Sequence, residues 1–201
     1  MTTRSKLAFS AVAFAFVLAT GAIEAGVRSA ASPQDSAPTL KPSEVVKPQT
    51  YVSLEPVPRG KEFQAAVVME IARGFHINSH KPTEAYLIPT TLTVQPSTGI
   101  QLLDMFYPNG QMVRFSFSPD KALDVYTGKV TLLLRFSAHS DAPLGPGTIS
   151  AVLRYQACNE STCLPPVKVP VSFALEFAGA GTNARVVHSE VFQGAGPSHQ
   201  K

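Results

Sequence analysis

Apolar and polar residues alternate along five stretches of the chain. Phe63, Ala65, Val67, Met69 and Ile71 hold every second position of the first. Val113, Phe115 and Phe117 make a second stretch, and Val130, Leu132, Leu134 and Phe136 a third. Ile149, Ala151, Leu153 and Tyr155 make a fourth, and Val167, Val169, Val171, Phe173, Leu175 and Phe177 a fifth. A period of two puts these side chains on one face, so each stretch predicts a strand with one side buried. Turn signals separate them: Pro58-Arg59-Gly60, Pro96-Ser97-Thr98-Gly99, Pro108-Asn109-Gly110, Ser118-Pro119-Asp120 and Pro143-Leu144-Gly145-Pro146-Gly147. No stretch among them carries the 3.6 period of a long amphipathic helix. Short strands at this spacing predict an all-β, antiparallel sandwich. Pro170 lies inside the fifth stretch and has no N–H to give a ladder, so that strand is expected to be an edge or to bulge there.

The ends read differently. Arg4 and Lys6 precede Leu7 to Ile23, an uncharged run of 17 residues, and Ala22 and Ala25 flank a cleavage point. This is the layout of a secretory signal peptide over residues 1–25. The run also reaches the lower limit of a bilayer span, so an uncleaved segment would serve as an anchor. No cysteine lies nearby to carry a lipid. Either way the remainder is expected to be exported to the periplasm or cell envelope, where disulfides persist. Residues 26–49, rich in Ser, Pro and Ala, read as a linker that cannot bury enough surface to order itself. Residues 179–201 read as a flexible tail in which Val186, Val187 and Phe192 are weak docking points. What remains, 50–178, is one domain large enough for its own core.

Charge removes one class of partner. Between Tyr51 and Ala178 stand ten Lys/Arg and ten Asp/Glu, so the net charge of +3 comes from the ends. A nucleic-acid binder needs a basic patch to displace counterions, and this stretch has none.

The chain's two cysteines, Cys158 and Cys163, stand four residues apart in YQACNESTCLPP. Cys158 follows the fourth strand and Cys163 precedes the fifth, so the pair faces across the mouth of a predicted hairpin, within reach of a disulfide. Three readings compete. A structural disulfide is the common one in exported domains. Yet closing so short a loop removes only about 2 kcal/mol of chain entropy, roughly half of what a long inter-sheet loop would contribute. An exchange centre suits the exposed site better, because an outside thiolate can reach it and the second thiol stands ready to resolve a mixed disulfide. A soft-metal site with His76, His80 or Met112 has too few close ligands to be specific. No metal and no cofactor are therefore expected.

The motif YQACNESTCLPPVKVPV resembles that of the N-terminal periplasmic domain of the thiol:disulfide interchange protein family DsbD. The matching pieces are Tyr155-Gln156, a small residue, Cys158, a short polar loop, Cys163, then Leu164 and Pro165-Pro166. GFHINSHKPTE, from Gly74 to Glu84, is similar to the family's strand that faces the cysteines. It carries Phe75, His76 and Asn78 where that strand commonly has tyrosines. Tyr107 to Leu132 resembles the region that supplies a cap loop. The resemblance covers about Tyr51 to Phe177. It implies an immunoglobulin-like sandwich that carries reducing equivalents between protein dithiols. Cys163 would form the mixed disulfides and Cys158 would resolve them. Phe117 in FSFSPDK would be the aromatic that shields the pair, with His76, Phe75 and Tyr155 as cap or tuning residues. The implied partners are a thioredoxin-like or membrane-embedded reductant and periplasmic oxidoreductases that accept the electrons. The family's transmembrane and thioredoxin-like domains have no counterpart in this sequence, so the reductant is expected to be a separate protein. The alternative from another class is a non-enzymatic binding module whose short disulfide shapes a recognition loop.

Lesser features add little. His76 facing the loop as an imidazolium would favour a Cys163 thiolate, and Glu160 would oppose it. Asn159-Glu160-Ser161 matches a glycosylation sequon, a three-residue pattern that chance supplies readily. Tyr86, Tyr107 and Tyr126 read as sheet or core residues. No Ser-His-Asp order, phosphate loop or paired-carboxylate site stands out.

Overall fold

The computed structural model describes residues 40–193. The expected signal segment and most of the expected linker lie outside the described residues. A single 3-10 turn, Pro42–Glu44, leads into fourteen strands. These are β1 (Val46–Val52), β2 (Leu54–Glu55), β3 (Val57–Pro58), β4 (Glu62–Ile71), β5 (His76–Asn78), β6 (Thr91–Val94) and β7 (Ile100–Phe106). The series continues with β8 (Gln111–Phe115), β9 (Ser118–Tyr126), β10 (Lys129–Ala138), β11 (Gly145–Tyr155), β12 (Ala157–Cys158), β13 (Val167–Ala178) and β14 (Arg185–Val186). One helical turn, α1 (Ser189–Phe192), closes the described chain. No helix among the described residues is long and apolar enough to cross a membrane.

Two four-stranded sheets make the sandwich, in the orders β1-β4-β10-β7 and β3-β13-β11-β6. The alternating residues fill the space between them. Phe63, Val67, Met69, Leu132, Leu134 and Phe136 come from the first sheet, and Ile149, Leu153 and Phe173 from the second, all buried in one cluster. Phe136 stacks on Phe63 at 5.5 Å within its sheet and meets Phe173 edge-on at 6.5 Å across the core. The architecture is the all-β, immunoglobulin-like antiparallel sandwich that the pattern and the motif imply.

The fourth and fifth stretches are hairpin partners, as expected. β11 and β13 pair antiparallel from Gly145↔Phe177 to Tyr155↔Val167. Pro170 sits opposite Val152, and the far side of β13 is paired only at Phe177 and Ala178, by β3. The proline therefore lies on a free edge, where its missing N–H costs no ladder bond.

The second stretch differs from its expected form. β8 stops at Phe115, which pairs with Ser118, so Phe117 stands at a hairpin tip instead of continuing the strand. Ser118-Pro119-Asp120, expected as a turn, opens β9. A register shift there is held by Arg114 Nη1 donating to the Pro119 carbonyl (2.8 Å) and Ser118 Oγ donating to the Lys121 carbonyl (2.9 Å).

Ordered elements extend on both sides of 50–178. β1 starts at Val46, and β14 pairs with β2 through Arg185↔Glu55 and Val186↔Leu54. An ion pair of 2.6 Å between Arg185 and Glu55 reinforces this ribbon. Tyr51 stands opposite Ala66 on the outer face of the first sheet, and His188 packs edge-on against the Tyr51 ring at 5.2 Å. The segment 185–192 thus helps cover that outer face, consistent with Ala66, Val68 and Leu133 being buried although they point away from the sandwich core.

Candidate functional site

The cysteines sit where the chain leaves the second sheet. After Tyr155 the strand turns out at Gln156, and β12 joins a third sheet of order β12-β5-β9-β8. Ala157 pairs with Ile77 and Cys158 with His76. On the return, Cys163 stands opposite Cys158 in a β-bridge. Leu164 N–H donates to the Ala157 carbonyl (2.8 Å) and Asn159 N–H to the Thr162 carbonyl (2.9 Å). These bonds flank the cysteines, which makes them a non-hydrogen-bonded cross-strand pair, the kind whose side chains approach most closely. Their Cα atoms are 3.9 Å apart and a disulfide joins them.

The two prolines now have a reason. Between Tyr155↔Val167 and Cys158↔Cys163 the register slips by one, so Pro165 and Pro166 together oppose Gln156. A bulge of this kind interrupts the ladder, and residues without an N–H lose nothing there. Gln156 Nε2 spans the gap to the Leu164 carbonyl at 3.3 Å.

The sulfur-bearing residues differ in access. Cys158 is 2% exposed. Cys163 is exposed, as are Glu160, Ser161 and Thr162 in the loop between them. The loop is braced from inside: Asn159 Oδ1 accepts from the N–H groups of Ser161 and Thr162, both at 2.9 Å.

A stack of rings stands beside the pair. His76 and Cys158 are direct cross-strand neighbours, so their side chains share one face of the sheet. On that face the Phe115 ring lies over His76 at 4.1 Å with planes 20° apart. Phe117 continues the stack, 5.2 Å from Phe115 and 6.5 Å from His76. The tip of the same hairpin touches the cysteine loop, where Ser116 Oγ donates to the Glu160 carbonyl at 3.3 Å. Phe115, Leu123 and Val125 form a small core of their own with Leu87 and Val113, apart from the main one. Lys121 of the hairpin pairs with Glu84 at 2.9 Å.

His76 is buried, and burial pushes its pKa down to about 4. The ring is thus neutral near pH 7, and it faces Cys158. In this disulfide form the ring therefore carries no charge towards the cysteines, and it stands across from Cys158 at the base of the aromatic stack.

Of the residues read from the sequence, the structure brings Cys158, Cys163, His76 and Phe117 together. It does not bring Phe75 or Tyr155 into the ring stack. Phe75 is half-buried against the main core and lines a neighbouring cleft of about 630 Å³, with Arg73, His76, Phe115 and Glu160 on its walls. Tyr155 is fully buried, and its hydroxyl donates to the Pro42 carbonyl at 2.8 Å, which ties the 3-10 turn ahead of β1 to β11. His80 is also absent from the stack; it lies on Tyr107 at 3.7 Å. Met112 is 63% exposed on β8, and no group of three or more His, Cys, Asp or Glu side chains suited to a metal occurs among the described residues. In the sequence Phe115 reads only as a strand residue and Asn159 only as part of a sequon, and Ser116 carries no signal. The signal for Phe115 was its two-residue spacing from Phe117, which puts both rings on one side.

A disulfide at a hairpin mouth, with one of its cysteines exposed beside an aromatic tip, is an arrangement suited to thiol:disulfide exchange. The family model described as "Thiol:disulfide interchange protein DsbD, N-terminal" matches residues 42–174, and the chain belongs to that family. Among solved structures, the DsbD N-terminal domain of Neisseria meningitidis in the reduced form is similar at 20% identity and a TM-score of 0.41, over 74% of this chain and 94% of that one. The N-terminal periplasmic domain of ScsB from Proteus mirabilis is similar at 14% identity and a TM-score of 0.43, over 68% of this chain. This chain covers 48% of the length of that structure. No curated protein matches.

Proposed function

We propose that this domain is an exported electron carrier in which Cys163 is the exchange sulfur and Cys158 the resolving one. The observation that carries the assignment is the difference in access: Cys158 is 2% exposed whereas Cys163 is open to solvent. A partner thiolate must approach the sulfur it attacks along the S–S axis, and access helps decide which sulfur that is. In the loading step the partner thiolate attacks Cys163 Sγ, the Cys158–Cys163 bond breaks, and the Cys158 sulfur leaves as a thiolate that takes up a proton. The partner's second thiol then attacks its own sulfur in the mixed disulfide. The domain becomes a dithiol and the partner a disulfide, two electrons having moved. Unloading reverses the order: Cys163 attacks an acceptor disulfide, and Cys158 attacks Cys163 Sγ to release the acceptor's thiols. Thioredoxin-like or membrane-embedded proteins are the reductants, and periplasmic oxidoreductases the acceptors. Phe117, with Phe115 behind it, is the cap that a partner must displace.

Single-cysteine variants test the assignment. In Cys158→Ser the mixed disulfide formed by Cys163 cannot be resolved, so complexes with a disulfide-bearing acceptor accumulate on a non-reducing gel. In Cys163→Ser no such complex forms. The assignment fails if Cys163→Ser traps acceptor as well as Cys158→Ser does.

A further inference from the structure

We infer that Asn159 is a positioning residue for the exchange reaction, holding the turn shut while the Cys158–Cys163 bond is open. The inference rests on the carrier reading above and concerns the same site.

The loop has little else to hold it. Glu160, Ser161 and Thr162 are exposed and bury no side chain in either core. In the disulfide state the covalent bond keeps the turn closed. Once it breaks, closure depends on two backbone bonds, Asn159 N–H to the Thr162 carbonyl and Leu164 N–H to the Ala157 carbonyl. It also depends on the two bonds that Asn159 Oδ1 accepts from the Ser161 and Thr162 amides. Gln156 Nε2 ties the two segments at the Leu164 carbonyl, beyond the turn, and the other tie to the turn itself, Ser116 Oγ to the Glu160 carbonyl, belongs to the cap hairpin and is lost when a partner moves the cap aside. In the mixed-disulfide intermediate the Asn159 side chain is therefore the one side-chain brace left within the turn.

The consequence is a matter of effective concentration. Cys158 resolves the Cys163 mixed disulfide only while the two sulfurs stay opposed, and an open turn separates them. Removing Asn159 destabilises the closed turn. The oxidised form cannot escape that cost, because its turn is covalently shut, whereas the reduced and mixed forms can open. The intramolecular disulfide therefore becomes less favourable relative to the dithiol. Two modest hydrogen bonds at an exposed turn correspond to about a fivefold fall in effective concentration. That is a rise of about 20 mV in the reduction potential.

The test uses Asn159→Ala and Asn159→Asp in the full chain, with glutathione as the probe. Proteins are equilibrated in reduced and oxidised glutathione at pH 7, quenched by alkylation, and the dithiol, disulfide and glutathionylated forms are counted by mass. Asn159→Ala is expected to raise the potential by about 20 mV and the share of Cys163–glutathione adduct about fivefold. Asn159→Asp keeps an acceptor oxygen in an equivalent place and is expected to stay near wild type. A purely structural role would lower the thermal midpoint of the oxidised form and leave potential and adduct unchanged. That result, or an Asn159→Asp variant that behaves like Asn159→Ala, overturns the inference with the carrier reading intact. If the wild-type bond resists reduction throughout the glutathione range, the carrier reading fails and this inference fails with it.

Discussion

Replacing Phe117 by alanine should speed reduction of the disulfide by small thiols. The Phe117 ring is 48% exposed and lies 5.2 Å from Phe115, nearly parallel to it. About half of a phenylalanine is therefore shielded, which contributes roughly 1 kcal/mol of apolar burial. The ring pair adds about 0.5 kcal/mol or more. Together these hold the hairpin tip closed by about 1.5 kcal/mol, close to a factor of ten in the open population. Cys163 is exposed as a residue, so the tip can limit only the line of attack on its sulfur; if that line is free in the open form and opening is fast, the reduction rate rises about tenfold in Phe117→Ala. The assay is pseudo-first-order reduction by excess dithiothreitol, sampled by alkylation and mass. Tyr86→Ala is the control, since Tyr86 is 74% exposed and makes no ring contact with the stack. An unchanged rate in Phe117→Ala would refute the idea that the aromatic tip limits access. So would an equal acceleration in Tyr86→Ala, which would point to general loosening.

Two further outcomes follow from the same geometry. Burial lowers the His76 pKa from 6.5 to about 4, so below pH 6.5 the unfolded chain binds a proton that the folded one refuses. The stability tied to this neutral ring is complete above pH 6.5 and is lost as pH falls towards 4, by up to about 3 kcal/mol. Urea titrations should show that fall in wild type and a shallower one in His76→Phe; equal slopes would remove His76 as the source. Tyr155→Phe should cost about 1 kcal/mol in the same titration by losing the bond to the Pro42 carbonyl, and leave the dithiothreitol rate unchanged. A faster rate would return Tyr155 to the cap.

Much of the sandwich is legible in the sequence, because its strands are long and have one buried face. Four of the alternating stretches coincide with β4, β10, β11 and β13, and Pro170 marks the free edge of the last. The third sheet is legible only in part: alternation marks β8, and the resemblance sets Gly74 to Glu84 against the cysteines, as the pairing of β5 with β12 bears out, but no local pattern gives that pairing. β5 and β12 have three and two residues, too short for any period, and they meet through pairings some eighty positions apart, such as His76↔Cys158. β1 is also hidden, since VKPQTYV mixes polar residues and a proline on an edge. At the site, the cysteine spacing and the hairpin around it announced the disulfide. The ring stack did not follow from the spacing, because nothing local in FHIN or FSFS says that His76 and Phe115 lie face to face. The burial that keeps His76 neutral is likewise a product of that long-range packing. Tyr155, the first residue of the motif, points into the core, as the last inward residue of its alternating strand must.

The central claim, that the bond between Cys158 and Cys163 cycles, is tested most directly by its reduction potential. The purified chain would be equilibrated in thiol–disulfide buffers of set potential and its alkylated cysteines counted by mass. The account predicts a value within about −180 to −270 mV, the range of proteins that exchange electrons with other thiols. A value well below about −300 mV would mark a structural bond, contradict the carrier account, and leave a binding module with a braced loop.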